Sequence, residues 1–178
     1  MEYCILAGGC FWCMSKPYYE YDGIINVYSG YCGGSEENPK YEDVKAQKTG
    51  HFESVKLVYD PYIISYEEIL DIYFETIDPF DGEGQFIDRG NSYKTAIFYS
   101  NDNMKAIALK YIKRIEERFQ KKVMVMLIPE MPFYYAEEYH QDFAIKNPLL
   151  MEEELILSGR KKKWPWSHFF FLDLISIW

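Results

Sequence analysis

A pair of glycines sets the first limit on this fold. Gly8 and Gly9 end a short apolar stretch, Tyr3 to Ala7, and are followed at once by Cys10-Phe11-Trp12-Cys13. The stretch reads as a buried strand, the glycines as a tight turn, and the residues from about Cys10 as the start of a helix. A sulfur at a helix start lies among backbone N–H groups that lack helical partners, and these favour its thiolate. Phe11 and Trp12 beside it offer an apolar wall suited to a small hydrophobic group. Cys13 follows one helical turn later, close enough to form a disulfide with Cys10.

The other two cysteines are Cys4 and Cys32, so all four fall in the first 32 residues and cannot staple a whole secreted fold. The N-terminus shows neither the basic segment nor the long apolar segment of a signal peptide. The setting expected is cytoplasmic, where a close Cys pair is more often catalytic or metal-binding than structural. A zinc site needs more ligands, and neither a second Cys-x-x-Cys nor a His-x-x-His is present, so no metal is expected. A thioredoxin-like oxidoreductase usually places a strand–helix–strand unit before its Cys-x-x-Cys, and only nine residues precede Cys10 here. The formal charge of -9 argues against a general nucleic-acid binder, which needs a basic face. No apolar run approaches the roughly 20 residues that span a bilayer.

Further along, Ile24 to Tyr28 reads as a second strand, ending at the glycines of Gly30-Tyr31-Cys32-Gly33-Gly34. His51 to Tyr59 reads as a third, with His51, Glu53, Val55, Leu57 and Tyr59 on one face. Ser65-Tyr66-Glu67-Glu68 is a capping box that opens a helix through about Thr76. Asp78 to Asn91 is rich in Gly and Asp without a clear period and reads as a long functional loop. A strand from Lys94 to Tyr99, an amphipathic helix marked by Met104, Ala108, Tyr111, Ile115 and Phe119, and a strand from Val123 to Ile128 complete an α/β or α+β pattern. Composition changes after Gly159. Arg160 to Lys163 is a basic run, followed by Trp164-Pro165-Trp166 and an apolar end from Phe169 to Trp178. Residues 1–155 are expected to form a catalytic domain and residues 156–178 a tail. That tail suits folding back on the core, a membrane-surface contact, or a partner-binding role.

Gly8-Gly9-Cys10-Phe11-Trp12 resembles the signature of the A-type peptide methionine sulfoxide reductases. The likeness continues in order through Gly30-Tyr31-Cys32-Gly33-Gly34, Asn38-Pro39-Lys40-Tyr41, Thr49-Gly50-His51-Phe52-Glu53 and Tyr59-Asp60-Pro61. It goes on through Asp78-Pro79, Gln85, Asp88-Arg89-Gly90-Asn91-Ser92-Tyr93, Ala136-Glu137-Glu138-Tyr139-His140-Gln141 and Lys146-Asn147-Pro148, covering about residues 3 to 150. The chain departs from the usual pattern at Ile77, Phe80 and Ser92-Tyr93-Lys94-Thr95. It also lacks any Cys after Cys32, where many members carry recycling cysteines.

The resemblance implies a ferredoxin-like mixed sheet with flanking helices, long loops and the C-terminal tail. It implies reduction of methionine-S-sulfoxide, free or in proteins, with no bound cofactor and with thioredoxin or a small dithiol as reductant. Cys10 is then the attacking sulfur. Glu53 is the proton donor, because its strand face points to the core and burial raises a carboxyl pKa. Tyr41 and Tyr93 match the family's two oxygen-binding tyrosines, and Asp88 matches an acid that orders the site. Phe11 and Trp12 would hold the methyl group. The resolving role falls to Cys13, to Cys32, or to an external thiol, while Cys4 reads as buried and inert. Two other classes stay open on the residues alone: a redox-sensing or binding protein without turnover, and a general disulfide oxidoreductase.

Overall fold

The computed structural model describes residues 1–161. Trp164-Pro165-Trp166, the apolar end of the tail and its expected membrane or partner contacts lie outside the described residues. Among the described residues, no helix is long and apolar enough to cross a membrane.

Six strands form one mixed sheet. They are β1 (Glu2–Gly8), β2 (Ile24–Cys32), β3 (Phe52–Tyr59), β6 (Thr95–Tyr99), β7 (Met126–Pro129) and β8 (Tyr134–Tyr135), in the order β7-β6-β1-β3-β2-β8. Neighbours are antiparallel except β6 and β7, which run parallel. The helices are α1 (Phe11–Ser15), α2 (Tyr41–Lys45), α3 (Tyr66–Thr76), α4 (Asp102–Phe119), α5 (Phe143–Lys146) and α6 (Pro148–Leu157). The run β1–α1–β2–β3–α3–β6 places its four strands as β6-β1-β3-β2, which is the ferredoxin-like arrangement expected. Helix α4 then supplies the crossover that a parallel β6–β7 pair requires.

Alternation along the strands sorts the core. Leu6, Tyr31, Val55, Leu57 and Ile97 face Ile69, Leu70 and Tyr73 of α3 and Met104, Ala108 and Ile115 of α4. The opposite face carries Ile5, Ala7, Cys32, Phe52, Ala96 and Phe98, covered in part by Met131 and Phe133. The Tyr73 hydroxyl donates to the Ala7 carbonyl at 2.8 Å, fixing α3 over the end of β1.

Three expectations need correction. Strand β2 does not stop at Tyr28; it runs through Gly30 to Cys32, because β8 pairs with it there. A Cβ on Gly30 would strike Phe133 and the Tyr134 carbonyl, so the glycine permits close packing rather than a break. Strand β7 begins at Met126, not Val123. Val123 and Val125 are buried before it, and the Val123 N–H donates to Glu116 Oε1 at 2.9 Å instead of to a neighbouring strand. The loop from Asp78 to Asn91 contains a small hairpin, β4 (Gly84–Gln85) with β5 (Asp88–Arg89), turned at Phe86 with φ 57°. Two-residue strands are too short to leave a period in the sequence. Helix α6 ends at Leu157, and beyond it the Arg160 side chain is 3% exposed.

The capping box forms as expected. Ser65 Oγ accepts the Glu68 N–H at 3.2 Å, and Glu68 Oε2 accepts the Ser65 N–H at 2.8 Å. Replacing Ser65 by Ala should lower unfolding free energy in urea by about 1 kcal/mol.

Candidate active site

Strand β1 ends at Gly8, and Gly9 takes φ +84°, a conformation that L side chains rarely adopt. A Cβ on Gly9 would collide with Gln85 and the Arg160 guanidinium. The turn delivers Cys10 as the cap of α1, which is a single turn continuing into a 3-10 turn, Lys16–Glu20. So short a helix has little macrodipole, and its individual N–H groups matter instead. The Phe11 N–H donates to Glu53 Oε2 at 3.0 Å. The Cys10 N–H faces the Asp88 carboxyl and the Cys13 N–H faces the Cys10 sulfur, and each lowers the group it faces.

Glu53 comes from β3, which is held in register between Ala7↔Ser54 on β1 and Tyr31↔Glu53 on β2. It is 2% exposed. Burial, then the nearby Cys10, pushes its carboxyl well above the usual range, and the Phe11 N–H only partly offsets this. The side chain therefore keeps its proton where an exposed glutamate would lose it. The structure brings Tyr41, from α2, and Tyr93, from a short turn before β6, into the electrostatic reach of Glu53 and Cys10. Burial and then the Glu53 carboxyl push both phenols up, so both remain hydrogen-bond donors near neutral pH. Asp88 completes the group. Burial raises it, while the Arg160 charge and the Cys10 N–H pull it back.

The Cys10 and Cys13 thiols lie together in one buried cluster. Cys13 beside it, then burial, pushes the Cys10 thiol well above its ordinary value. Cys10 and the Arg160 charge lower Cys13 against its own burial. Cys4 lies in the core and burial raises its thiol. Cys32 lies at the end of β2. It sits on the sheet face opposite Glu53, donates to the Met131 carbonyl at 3.6 Å, and is pushed up to about 12 by burial.

Phe11 packs against Tyr31, Tyr41 and His140, the last at 4.9 Å between ring centres. Trp12 stacks on Phe143 at 3.8 Å. Several contributors had no role in the sequence reading. Glu137 accepts the Tyr41 N–H at 3.1 Å and the Tyr31 hydroxyl at 2.8 Å, which anchors α2. His140 is buried between Phe11, Trp12 and Tyr41, and burial lowers its pKa toward the neutral ring. Both residues stand in the stretch 136–141 that carried the resemblance. Among the described residues, no group of three or more His, Cys, Asp or Glu is placed to hold a metal ion.

The profile of the family described as peptide methionine sulfoxide reductase matches residues 2–167. A Staphylococcus aureus protein, "Peptide methionine sulfoxide reductase MsrA 2", is 49% identical over 162 residues, spanning 90% of this chain and 92% of that one. The chain belongs to the A-type peptide methionine sulfoxide reductases. Among solved members, Mxr1 from Saccharomyces cerevisiae in reduced form superposes with a TM-score of 0.77 at 30% identity, over 83% of this chain and 86% of its own. A second structure of the yeast reductase holds it in complex with Trx2, with a TM-score of 0.56 at 25% identity over 78% and 83% of the two chains.

The buried acid of this reductase carries a stability cost with a definite sign. Its pKa is raised in the folded protein, so above the unfolded value near 4.5 the unfolded chain releases a proton that the folded one keeps. Stability from this group falls as pH rises through that window, by up to about 1.4 kcal/mol per pH unit. Glu53→Gln keeps the acceptor for Phe11 but does not titrate. In urea unfolding at pH 4 and pH 7, the variant should gain on the wild type at the higher pH.

Proposed function

We propose that this protein reduces methionine-S-sulfoxide, free or in proteins, to methionine, through a sulfenic acid on Cys10 and a disulfide with Cys13. The observation that carries this reading is the placement of Glu53, a proton-holding carboxyl, on the N–H of the residue next to Cys10.

Each step follows from the residues present. The Cys10 thiolate attacks the sulfoxide sulfur. Oxide is a poor leaving group, so Glu53 gives its proton to the sulfoxide oxygen as the S–S bond forms. The Tyr41 and Tyr93 hydroxyls donate hydrogen bonds to the same oxygen as charge develops on it. Phe11 and Trp12 form the wall that receives the methyl group. The protonated oxygen then passes to the Cys10 sulfur as the S–O bond and the new S–S bond break, which releases methionine and leaves a sulfenic acid, so the substrate sulfur is reduced by two electrons and Cys10 is oxidised by two. The Cys13 thiol then displaces water from the sulfenic acid and forms the Cys10–Cys13 disulfide. The single-turn α1, continuous with a 3-10 turn, supports the local unwinding that a disulfide at this spacing requires.

No bound cofactor enters this sequence. Two electrons from a dithiol return the disulfide to two thiols, and thioredoxin is the proposed donor, in keeping with the yeast relative seen with Trx2. Repair of oxidised proteins under oxidative stress, in the cytoplasm, is the setting proposed. Asp88 acts by holding the Cys10 N–H, and residues 1–155 carry the chemistry with help from Arg160.

Turnover should be followed by release of methionine from S-methionine sulfoxide with thioredoxin and its reductase present. Cys10→Ser should abolish it, and unchanged turnover would overturn the assignment. Glu53→Ala should lower kcat by roughly 10²–10⁴ while largely preserving sulfoxide binding. Cys13→Ser should release one methionine per enzyme and then stall with thioredoxin alone. Cys32→Ser should recycle normally, and a stall in that variant would transfer the resolving role to Cys32.

A further inference from the structure

Arg160 lies far from the active site in sequence and against it in space. Gly159, with φ +79°, turns the chain after α6, and the Lys161 N–H closes the turn on the Leu155 carbonyl at 3.2 Å. The Arg160 side chain then runs inward, 3% exposed. Its guanidinium donates to the Thr76 carbonyl at 3.3 Å and to the Gly8 carbonyl at 3.2 Å, two residues before Cys10. It lies 4.5 Å from the centre of the Phe86 ring and 3.9 Å from Asp88 Oδ2. A buried cation is costly unless a partner gains from it. Here the two carbonyls take the terminal nitrogens, the buried Nε has no partner, and the charge faces the Asp88 carboxyl.

The groups facing the sulfur pair are Glu53 from β3, Asp88 from β5, Glu154 from α6, Tyr41, Tyr93 and Arg160 itself. Burial holds Glu53 and the tyrosines toward their neutral forms. Asp88 and Glu154 oppose a thiolate. Arg160, bonded to the Gly8 carbonyl beside this turn, brings a positive charge to the pair and acts on Cys13.

We propose that Arg160 is a positioning residue for the thiol chemistry: it holds the Gly8–Gly9 turn by its carbonyl bond and supplies the positive charge that favours a thiolate on the Cys10–Cys13 pair. This rests on the reading of Cys10 as the nucleophile. It also gives the first residue of the basic run a role inside the site.

The test is the pH dependence of iodoacetamide alkylation of the intact protein, read peptide by peptide for Cys10 and Cys13 by mass spectrometry. In Arg160→Met the midpoint should rise by about one pH unit, and alkylation at pH 7 should fall about tenfold. Arg160→Lys keeps the charge and should stay within about threefold of wild type. With sulfoxide as substrate, Arg160→Met should lower kcat with little change in KM. A folded Arg160→Met protein with an unmoved midpoint overturns the proposal, as does an equal upward shift in the Lys variant. If Arg160→Met does not fold by circular dichroism, Arg160→Lys decides: a wild-type midpoint supports the proposal and a full-unit rise overturns it. Alkylation needs no sulfoxide, so a protein that shows the shift but releases no methionine would overturn the reductase reading and leave Arg160's role standing.

Discussion

The hydrogen bond from the Phe11 N–H to the Glu53 carboxyl is the constraint around which this site is built. A carboxyl that must carry a proton near neutral pH has to be buried, and a buried polar group needs a partner. The first turn of α1 supplies one from an N–H that helix geometry leaves free. The same bond fixes Cys10, because the donor is its immediate neighbour. Nucleophile and acid are therefore positioned by one contact between a helix start and a strand. That contact depends in turn on β3 lying between β1 and β2 in a register that aims Glu53, and not Phe52 or Ser54, at the helix.

Acid and sulfur make opposite demands on a shared environment. Burial favours the neutral form of both, which suits Glu53 and hinders the thiol. The structure separates them by what lies next to each. Glu53 has an N–H and apolar surroundings, with a developing anion beside it that raises its pKa further. The sulfur pair has its two thiols side by side and a buried guanidinium whose charge reaches Cys13. Loss of the pair's first proton strengthens the hold of Glu53 on its own, so the state with a thiolate and a protonated acid reinforces itself.

Much of this could be read from the residues because alternation and capping are local. Glu53 was found by its period with Val55 and Leu57, and α3 by Ser65 and Glu68. Cys32 was read outside any strand because β2 appeared to end before Gly30. Once the strand is carried through, period two puts Cys32 beside Phe52 and Tyr31 beside Glu53, on opposite faces. Gly30 looked like a break because its role is set by Phe133 and Tyr134, about a hundred residues away. Arg160 was hidden for the same kind of reason. Beside three lysines it resembles a solvated run, while its partners Thr76 and Gly8 lie 84 and 152 positions earlier.

The packing around Cys10 also bears on what it can attack. Its residue is only 9% exposed, with Met151 of α6 against it and Trp12 stacked on Phe143 alongside. A sulfur so enclosed is open to a narrow group and closed to a wide one. A methyl sulfoxide at the end of a flexible methionine side chain presents a small apolar tip and one polar oxygen, which the aromatic wall and the cluster of neutral donors can both receive. A disulfide set within a folded protein brings two chains to the same opening. The enclosure thus favours sulfoxide over general disulfide exchange, and it requires α1 to loosen before the oxidised pair can meet a dithiol.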